Sequence, residues 1–190
     1  MLSDRMSAGF VGGGGDWYIA TQRGNKGDCW RAYWKVWDRS APNNRIWQVD
    51  YLLVCDADVT EDPSATDLKG LSERFSSVLV DTEGFAKKHG HDNFAKCFAR
   101  ALECLSSNDP FSLVYHKDLA PAGLLRLDAM RLLACCQAAW VFGGMGSWND
   151  ICFEGDENRE YERLSDALFN LINEAICEAA NSSAETLSDA

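Results

Sequence analysis

The hydrophobic period of this chain changes once, and that change fixes the class of fold open to it. Before Thr66 apolar residues alternate at a spacing of two; beyond it they recur every three or four residues. Strands come first and helices afterwards, an order that predicts an α+β fold.

The alternation is clearest in Cys29–Asp38, with Trp30, Ala32, Trp34 and Val36 on one side and Arg31, Tyr33, Lys35 and Trp37 on the other. A strand with one dry face is expected there. Asp16–Gln22 predicts a strand before it and Ile46–Cys55 one after it. Gly24–Gly27 reads as a hairpin turn, and Ala41–Asn44, with Pro42 and two asparagines, as the next turn. Phe111–Tyr115 reads as a short edge strand. In the second half, Leu68, Leu71, Phe75, Val78 and Leu79 predict a helix over Asp67–Val80. Phe94, Cys97, Phe98, Ala101 and Leu105 predict another over His91–Leu105. Pro121 suits the first turn of a largely apolar third helix running to Trp140, the expected centre of the fold. Gly143, Gly144 and Gly146 stop it, and a last helix is expected over Asn158–Ala179. The expected architecture is an N-terminal antiparallel meander of three or four strands, covered on one face by four or five helices. One domain is expected over residues 1–190, with 1–15 and 181–190 mobile.

Composition narrows the setting. At 190 residues and 46% apolar, the chain has material for a sizeable core. It shows no basic start followed by an apolar run, and no stretch near the roughly 20 apolar residues that a membrane span needs. Most of the eight cysteines sit in apolar runs without CxxC or Cys/His ligand spacing, so reduced, buried thiols and a cytoplasmic protein are expected. Adjacent Cys135 and Cys136 point about 100° apart on a helix, poor placement for pairing or for sharing a zinc ion.

Charge is concentrated at one end. Residues 1–60 hold seven basic and seven acidic side chains, whereas residues 150–190 hold eleven acidic and two basic. A net charge of −11 opposes contact with nucleic acid or anionic membranes and favours basic proteins. Some carboxylates are ordinary helix chemistry, since Asp156, Glu157 and Glu160 at a helix start each gain about 0.3–1 kcal/mol from the dipole.

The sharpest catalytic pattern is the apolar run Leu52–Cys55 followed by Asp56-Ala57-Asp58-Val59-Thr60. Two carboxylates just beyond a strand can share a divalent cation or divide nucleophile and proton-transfer roles. The pattern resembles the first motif of haloacid-dehalogenase-type phosphatases, which implies Asp56 as nucleophile and Asp58 as acid/base. That family also needs alternating parallel strands and helices, which the sequence lacks. His89 with His91, and His116 with Asp118, have no third ligand or nucleophile at recognisable spacing. The glycines at 12–15 lack the preceding strand of a dinucleotide fingerprint. No cofactor and no metal are expected.

Two segments suit binding instead. Trp148-Asn149-Asp150, after the glycine loop, places a large aromatic beside polar groups; a surface contact and a buried loop anchor are both compatible with it. Five tryptophans, Trp17, Trp30, Trp34, Trp37 and Trp47, fall within 31 residues. With Trp30 and Trp34 facing inward, Tyr33 and Trp37 face outward beside Arg31 and Lys35, the composition of an interface hot spot or of a homodimer contact.

Trp140–Asp150, Tyr161–Ser165 and the helix to Asn181 resemble the C-terminal part of small uncharacterised bacterial proteins similar to immunity partners of polymorphic toxins. That resemblance spans about 40 residues and implies a compact, acidic, cytoplasmic domain that occludes a basic toxin. The sequence therefore leads to a non-enzymatic binding protein for a basic partner, with Trp148, Asn149, Asp150, Glu154, Asp156 and Glu157 as contacts and Tyr33 and Trp37 as a second patch. The alternatives are a metal-dependent phosphohydrolase using Asp56 and Asp58, and an oligomerising module using the tryptophan-rich sheet.

Overall fold

The alternating segment around Trp34 becomes the central strand of a three-stranded antiparallel sheet in the computed structural model, which describes residues 3–10, 13–23, 26–57, 67–117 and 123–188. Helices follow the sheet, so the chain is of the α+β class. It divides into two compact units, Met1–Ser64 and Ala65–Ala190.

The first unit opens with a one-turn helix, α1 (Asp4–Ser7), capped by Ser3, whose hydroxyl oxygen accepts from the Met6 amide at 3.4 Å. The sheet comprises β1 (Tyr18–Arg23), β2 (Lys26–Val36) and β3 (Trp47–Ala57), in the order β1-β2-β3. Arg23 pairs with Lys26 and Gln22 with Gly27, so Lys26 and Gly27, assigned to the hairpin turn by the sequence, belong to β2. The second turn forms where Pro42 and Asn43 predict it, with Asn43 at φ 59°, a conformation asparagine tolerates better than most residues. Its base is closed by the Trp37 amide donating to the Ile46 carbonyl at 2.8 Å.

Register settles which side chains share a face. Trp30 pairs with Ile19 and Leu53, Ala32 with Tyr51, Trp34 with Val49, and Val36 with Trp47. Directly paired and alternate residues point the same way, so these nine apolar side chains form one continuous face. Arg31, Tyr33, Lys35, Gln48 and Asp50 lie on the other, where Lys35 donates to Asp50 at 2.8 Å and Gln48 to the same carboxylate at 2.8 Å. The Lys35 hydrogen bond, then that of Gln48, hold the Asp50 carboxyl below its ordinary range. Between Cys29 and Trp30 the register shifts, leaving Val54 unpaired on β3 as a bulge.

The second unit is a helical bundle of α2 (Leu68–Lys88), α3 (Asp92–Ser106), α4 (Leu127–Ala139) and α5 (Gly155–Ser188). Leu71, Phe75, Leu79, Phe98, Leu132, Leu164, Leu168 and Ile172 form its core, each at most 2% exposed. As expected, α4 is central, packing on α2, α3 and α5. Asp67 caps α2 by accepting from the Gly70 amide at 2.8 Å, and a Cβ at Gly70 would lie 2.2 Å from the Asp67 carboxylate. Asp67→Ala should therefore cost about 1 kcal/mol in urea unfolding, and an unchanged midpoint would show that the cap contributes nothing.

Several element bounds differ from the sequence reading. Helix α2 continues eight residues past Val80, because Thr82 buries its side chain and its hydroxyl donates to the Val78 carbonyl at 2.7 Å. The edge strand expected over Phe111–Tyr115 is a 3-10 turn, Pro110–Leu113, in which the Ser112 amide and hydroxyl both donate to the Asp109 carbonyl. Helix α4 begins at Leu127; Pro121 lies outside the described residues. The loose end expected over 181–190 is helical through Ser188: Ala179 and Ser182 are buried, and the Ser182 and Ser183 hydroxyls donate back to carbonyls three residues earlier at 2.8 and 2.7 Å.

Candidate functional site

Two surfaces are singled out by the sequence, the loop leading into α5 and the outward patch of the sheet. The glycine loop is shaped by the Trp148 amide, which donates to the Val141 carbonyl at 3.0 Å, and by Gly146 at φ +86°, whose amide donates to the Asp150 carboxylate. Trp148 itself is fully buried. Its indole N–H donates to the Ser165 hydroxyl at 2.8 Å, and the Tyr161 hydroxyl donates to its carbonyl at 2.6 Å. Edge-on contacts to Phe94 and Phe98, with centroids at 5.2 and 5.4 Å, complete the enclosure. Of the two readings of this tryptophan, the geometry gives the loop anchor, so Trp148 is not a surface contact.

Its neighbours do reach the surface. Asn149 is half-buried, and Asp150, Glu154, Asp156 and Glu157 are exposed, gathered at the entrance of α5 with Glu160. Asp156 is ion-paired with Arg159, and Glu157 lies 3.8 Å from Lys88. Further along α5 the carboxylates spread out; Glu174 is held by Arg74, with one contact at 3.1 Å. Asp156 and Glu178 stand about 33 Å apart at 1.5 Å per residue. The acidic side chains are thus a line along one helix with a denser start.

The sheet is the more unusual surface. Tyr33 and Trp37 are exposed as expected, at 45% and 70%. The opposite face, assigned inward by the sequence, is also open: Trp34 is 59% exposed, Tyr51 52%, Leu53 50% and Ile19 48%. Among the described residues, every buried apolar side chain lies beyond Ala65. Contiguous exposed apolar surface of this kind is uncommon on monomeric soluble proteins.

That face carries a cavity of about 440 Å³, within the usual range for ligand-sized clefts. It is lined by Trp17, Ala32, Trp34 and Trp47, with Gly13, Gly15, Asp16 and Arg31. Ala32 sits between Trp30 and Trp34 on the central strand, so the smallest side chain of the face falls where the cavity opens. The glycines reach the wall because of their backbone. A Cβ on Gly13 would lie 1.9 Å from the Ser7 carbonyl oxygen, and Gly15 has φ +95°. Sequence reasoning rejected the glycine run as a dinucleotide loop and missed this role. The usable signal was the clustering of tryptophans on one register of alternation.

The remaining sequence candidates lie in separate parts of the chain. Asp56 closes antiparallel β3, paired in register with Asp28, and Asp58 and Asp118 lie outside the described residues. The Gln137 side chain brackets the His116 backbone, accepting from its amide at 2.6 Å and donating to its carbonyl at 3.2 Å. His89 and His91 pack on the Phe153 ring, at 4.7 and 5.9 Å. Among the described residues no group of three His, Cys, Asp or Glu is placed to hold a metal ion.

Cys97, Cys104, Cys135, Cys136, Cys152 and Cys177 are free thiols; of these Cys104, Cys135 and Cys136 are buried, Cys97 is half-buried, and Cys152 and Cys177 are exposed, so the expectation of buried thiols holds in part. Burial pushes the Cys104 thiol up to about 11, and burial also raises Cys135 and Cys136, Cys135 further through its neighbour Cys136. Native-state alkylation should label exposed Cys152 and spare these three until denaturant is added. Mass spectrometry showing Cys104 modified as fast as Cys152 would contradict the packing around α4.

Comparison with known proteins returned no matching family model, curated protein or solved structure. No helix among the described residues is long and apolar enough to cross a membrane.

Proposed function

We propose that this chain is a non-enzymatic binding protein that engages a basic protein, acting as an immunity or inhibitor protein toward a basic toxin or enzyme. The observation that carries this reading is the open aromatic face of the sheet. Exposed Trp34, Trp47, Tyr51 and Leu53 have the composition of interface hot spots, where a few large rings account for most of the affinity.

The sign of the partner follows from charge. Beyond Ser64 the chain has eleven basic and twenty acidic residues, a surplus that repels polyanions and accelerates encounter with a cationic protein. Free, buried thiols at Cys104, Cys135 and Cys136 suit a cytoplasmic setting. The acidic residues at the start of α5, Asp150, Glu154, Asp156 and Glu157 beside Asn149, supply attraction at long range; the sheet, with Tyr33 and Trp37 on its second face, supplies the contact that persists.

The test is capture from an extract of the native cells by the tagged chain. A basic protein should be retained at low salt, in an amount that falls as salt rises. Retention of nothing, or of a protein whose binding is indifferent to salt, overturns the electrostatic half of the reading. A stable dimer that protects Trp34 from solvent would replace the basic partner with a second copy.

A further inference from the structure

Resting on the reading above, we infer that the cavity formed by Trp17, Ala32, Trp34 and Trp47 is an aromatic cage that receives a cationic side chain, arginine or lysine, from the basic partner. Three indoles line one cavity, and among the described residues none of them makes a ring contact or an indole hydrogen bond. Their faces and N–H groups are left to a ligand.

The electrostatics of the lining select for a cation. Indole has the strongest negative ring face among the aromatic side chains, and cages of such rings are a recurrent solution for binding ammonium and guanidinium groups. The single cation in the lining, Arg31, is already partnered: its guanidinium is ion-paired with Asp16, itself a lining residue, and lies 5.8 Å from the centre of the Tyr33 ring. The Arg31–Asp16 pair adds no net charge to the rim. The same sheet already seats one guanidinium over an aromatic ring, at Tyr33.

Steric features agree. Ala32 provides depth in the middle of the face, and Gly13 and Gly15 bring backbone to the wall, Gly13 at a point where a Cβ would collide with the Ser7 carbonyl. The cavity is larger than one long side chain, leaving room for the residues that flank it in a partner. A cation buried there would link the charge of the partner to the aromatic surface, which neither the acidic helix nor the apolar face does alone.

The test uses the full chain labelled with 15N-tryptophan and three blocked amino acids: acetyl-arginine methylamide, acetyl-lysine methylamide and the uncharged acetyl-norleucine methylamide. Saturable shifts of the Trp17, Trp34 and Trp47 indole resonances are expected with the two cations. The norleucine compound should bind at least about tenfold more weakly, the loss expected when a cation–ring contact is removed. Ala32→Leu should abolish the shifts while the Trp30 indole, which donates to the Thr21 hydroxyl in the same sheet, keeps the dispersed resonance of the folded state.

Equal binding of the norleucine compound would reduce the site to an apolar cleft and overturn the inference, as would the absence of any indole shift. Tighter binding of tetramethylammonium than of either amino-acid derivative would also overturn it, by assigning the cage to a free quaternary ammonium compound. If the amides do not bind while salt-sensitive capture of a basic protein persists, the cage falls and the proposed function stands.

Discussion

Replacing Trp148 with alanine should destabilise the helical unit by about 3–5 kcal/mol, the range for truncating a fully buried large aromatic side chain. The indole touches helices through Phe85, Phe94, Phe98 and Tyr161, and its N–H donates to Ser165. Truncation opens a cavity among these rings and removes the donor of the buried Ser165 hydroxyl. A fall in thermal midpoint of roughly 10–20 °C is expected for a unit of this size. Ser165→Ala isolates the hydrogen bond: it leaves a buried N–H without an acceptor, at a cost of about 1–3 kcal/mol. The two changes should be far from additive, because the single partner is shared. A Trp148→Ala midpoint within a few degrees of the wild type would show that the loop does not pack as described.

The second large effect is on binding. Trp34→Asp places a carboxylate in the centre of the aromatic face and should weaken capture of the basic partner by about 2–4 kcal/mol, that is, by 30-fold or more. The sign of this prediction is informative, since a carboxylate would increase long-range attraction to a cationic protein. Loss of binding would place the decisive contact on the rings. A gain would place it in the field of the acidic helix. Trp34 is more than half exposed, so the unfolding midpoint of the variant should stay close to that of the wild type. Binding is read by titration calorimetry at fixed salt with the captured partner.

The fold was legible wherever one period ran without interruption. Residues 29–38 and the stripes beginning at Leu68, Phe94 and Tyr161 each form the element that their spacing predicts. The misses have local causes. The helix expected to end at Val80 runs on because Thr82 meets its own hydrogen-bonding need within the helix and keeps its side chain in the core. Phe111 to Tyr115 is too short for alternation to distinguish a strand from a turn, and Asp109 with Ser112 decides for the turn. Polar Ser182 and Ser183 look like coil in sequence but continue α5 by bonding back to its carbonyls.

The candidate site was legible in part. Alternation places Trp30, Trp34 and Val36 on one face and Tyr33 on the other, as the register has it; Trp37 lies just beyond the paired residues. Alternation cannot say whether a face is wet, because an apolar stripe has the same pattern against a core and against a partner. The cavity needs Trp17 and Trp47 brought beside Ala32 from outside β2, a juxtaposition set by strand pairing and by the glycine run rather than by any one segment. In contrast, the role of Trp148 turned on burial alone, and both readings of it suited the same ten residues around it.

Binding through the sheet requires the aromatic face to be accessible to solvent in the folded chain. Hydroxyl-radical footprinting at low protein concentration, read by mass spectrometry, addresses this directly. Trp34, Trp37 and Tyr51 should be oxidised readily in the native protein, with Trp148 protected until the helices unfold. Protection of Trp34 equal to that of Trp148 would contradict the account.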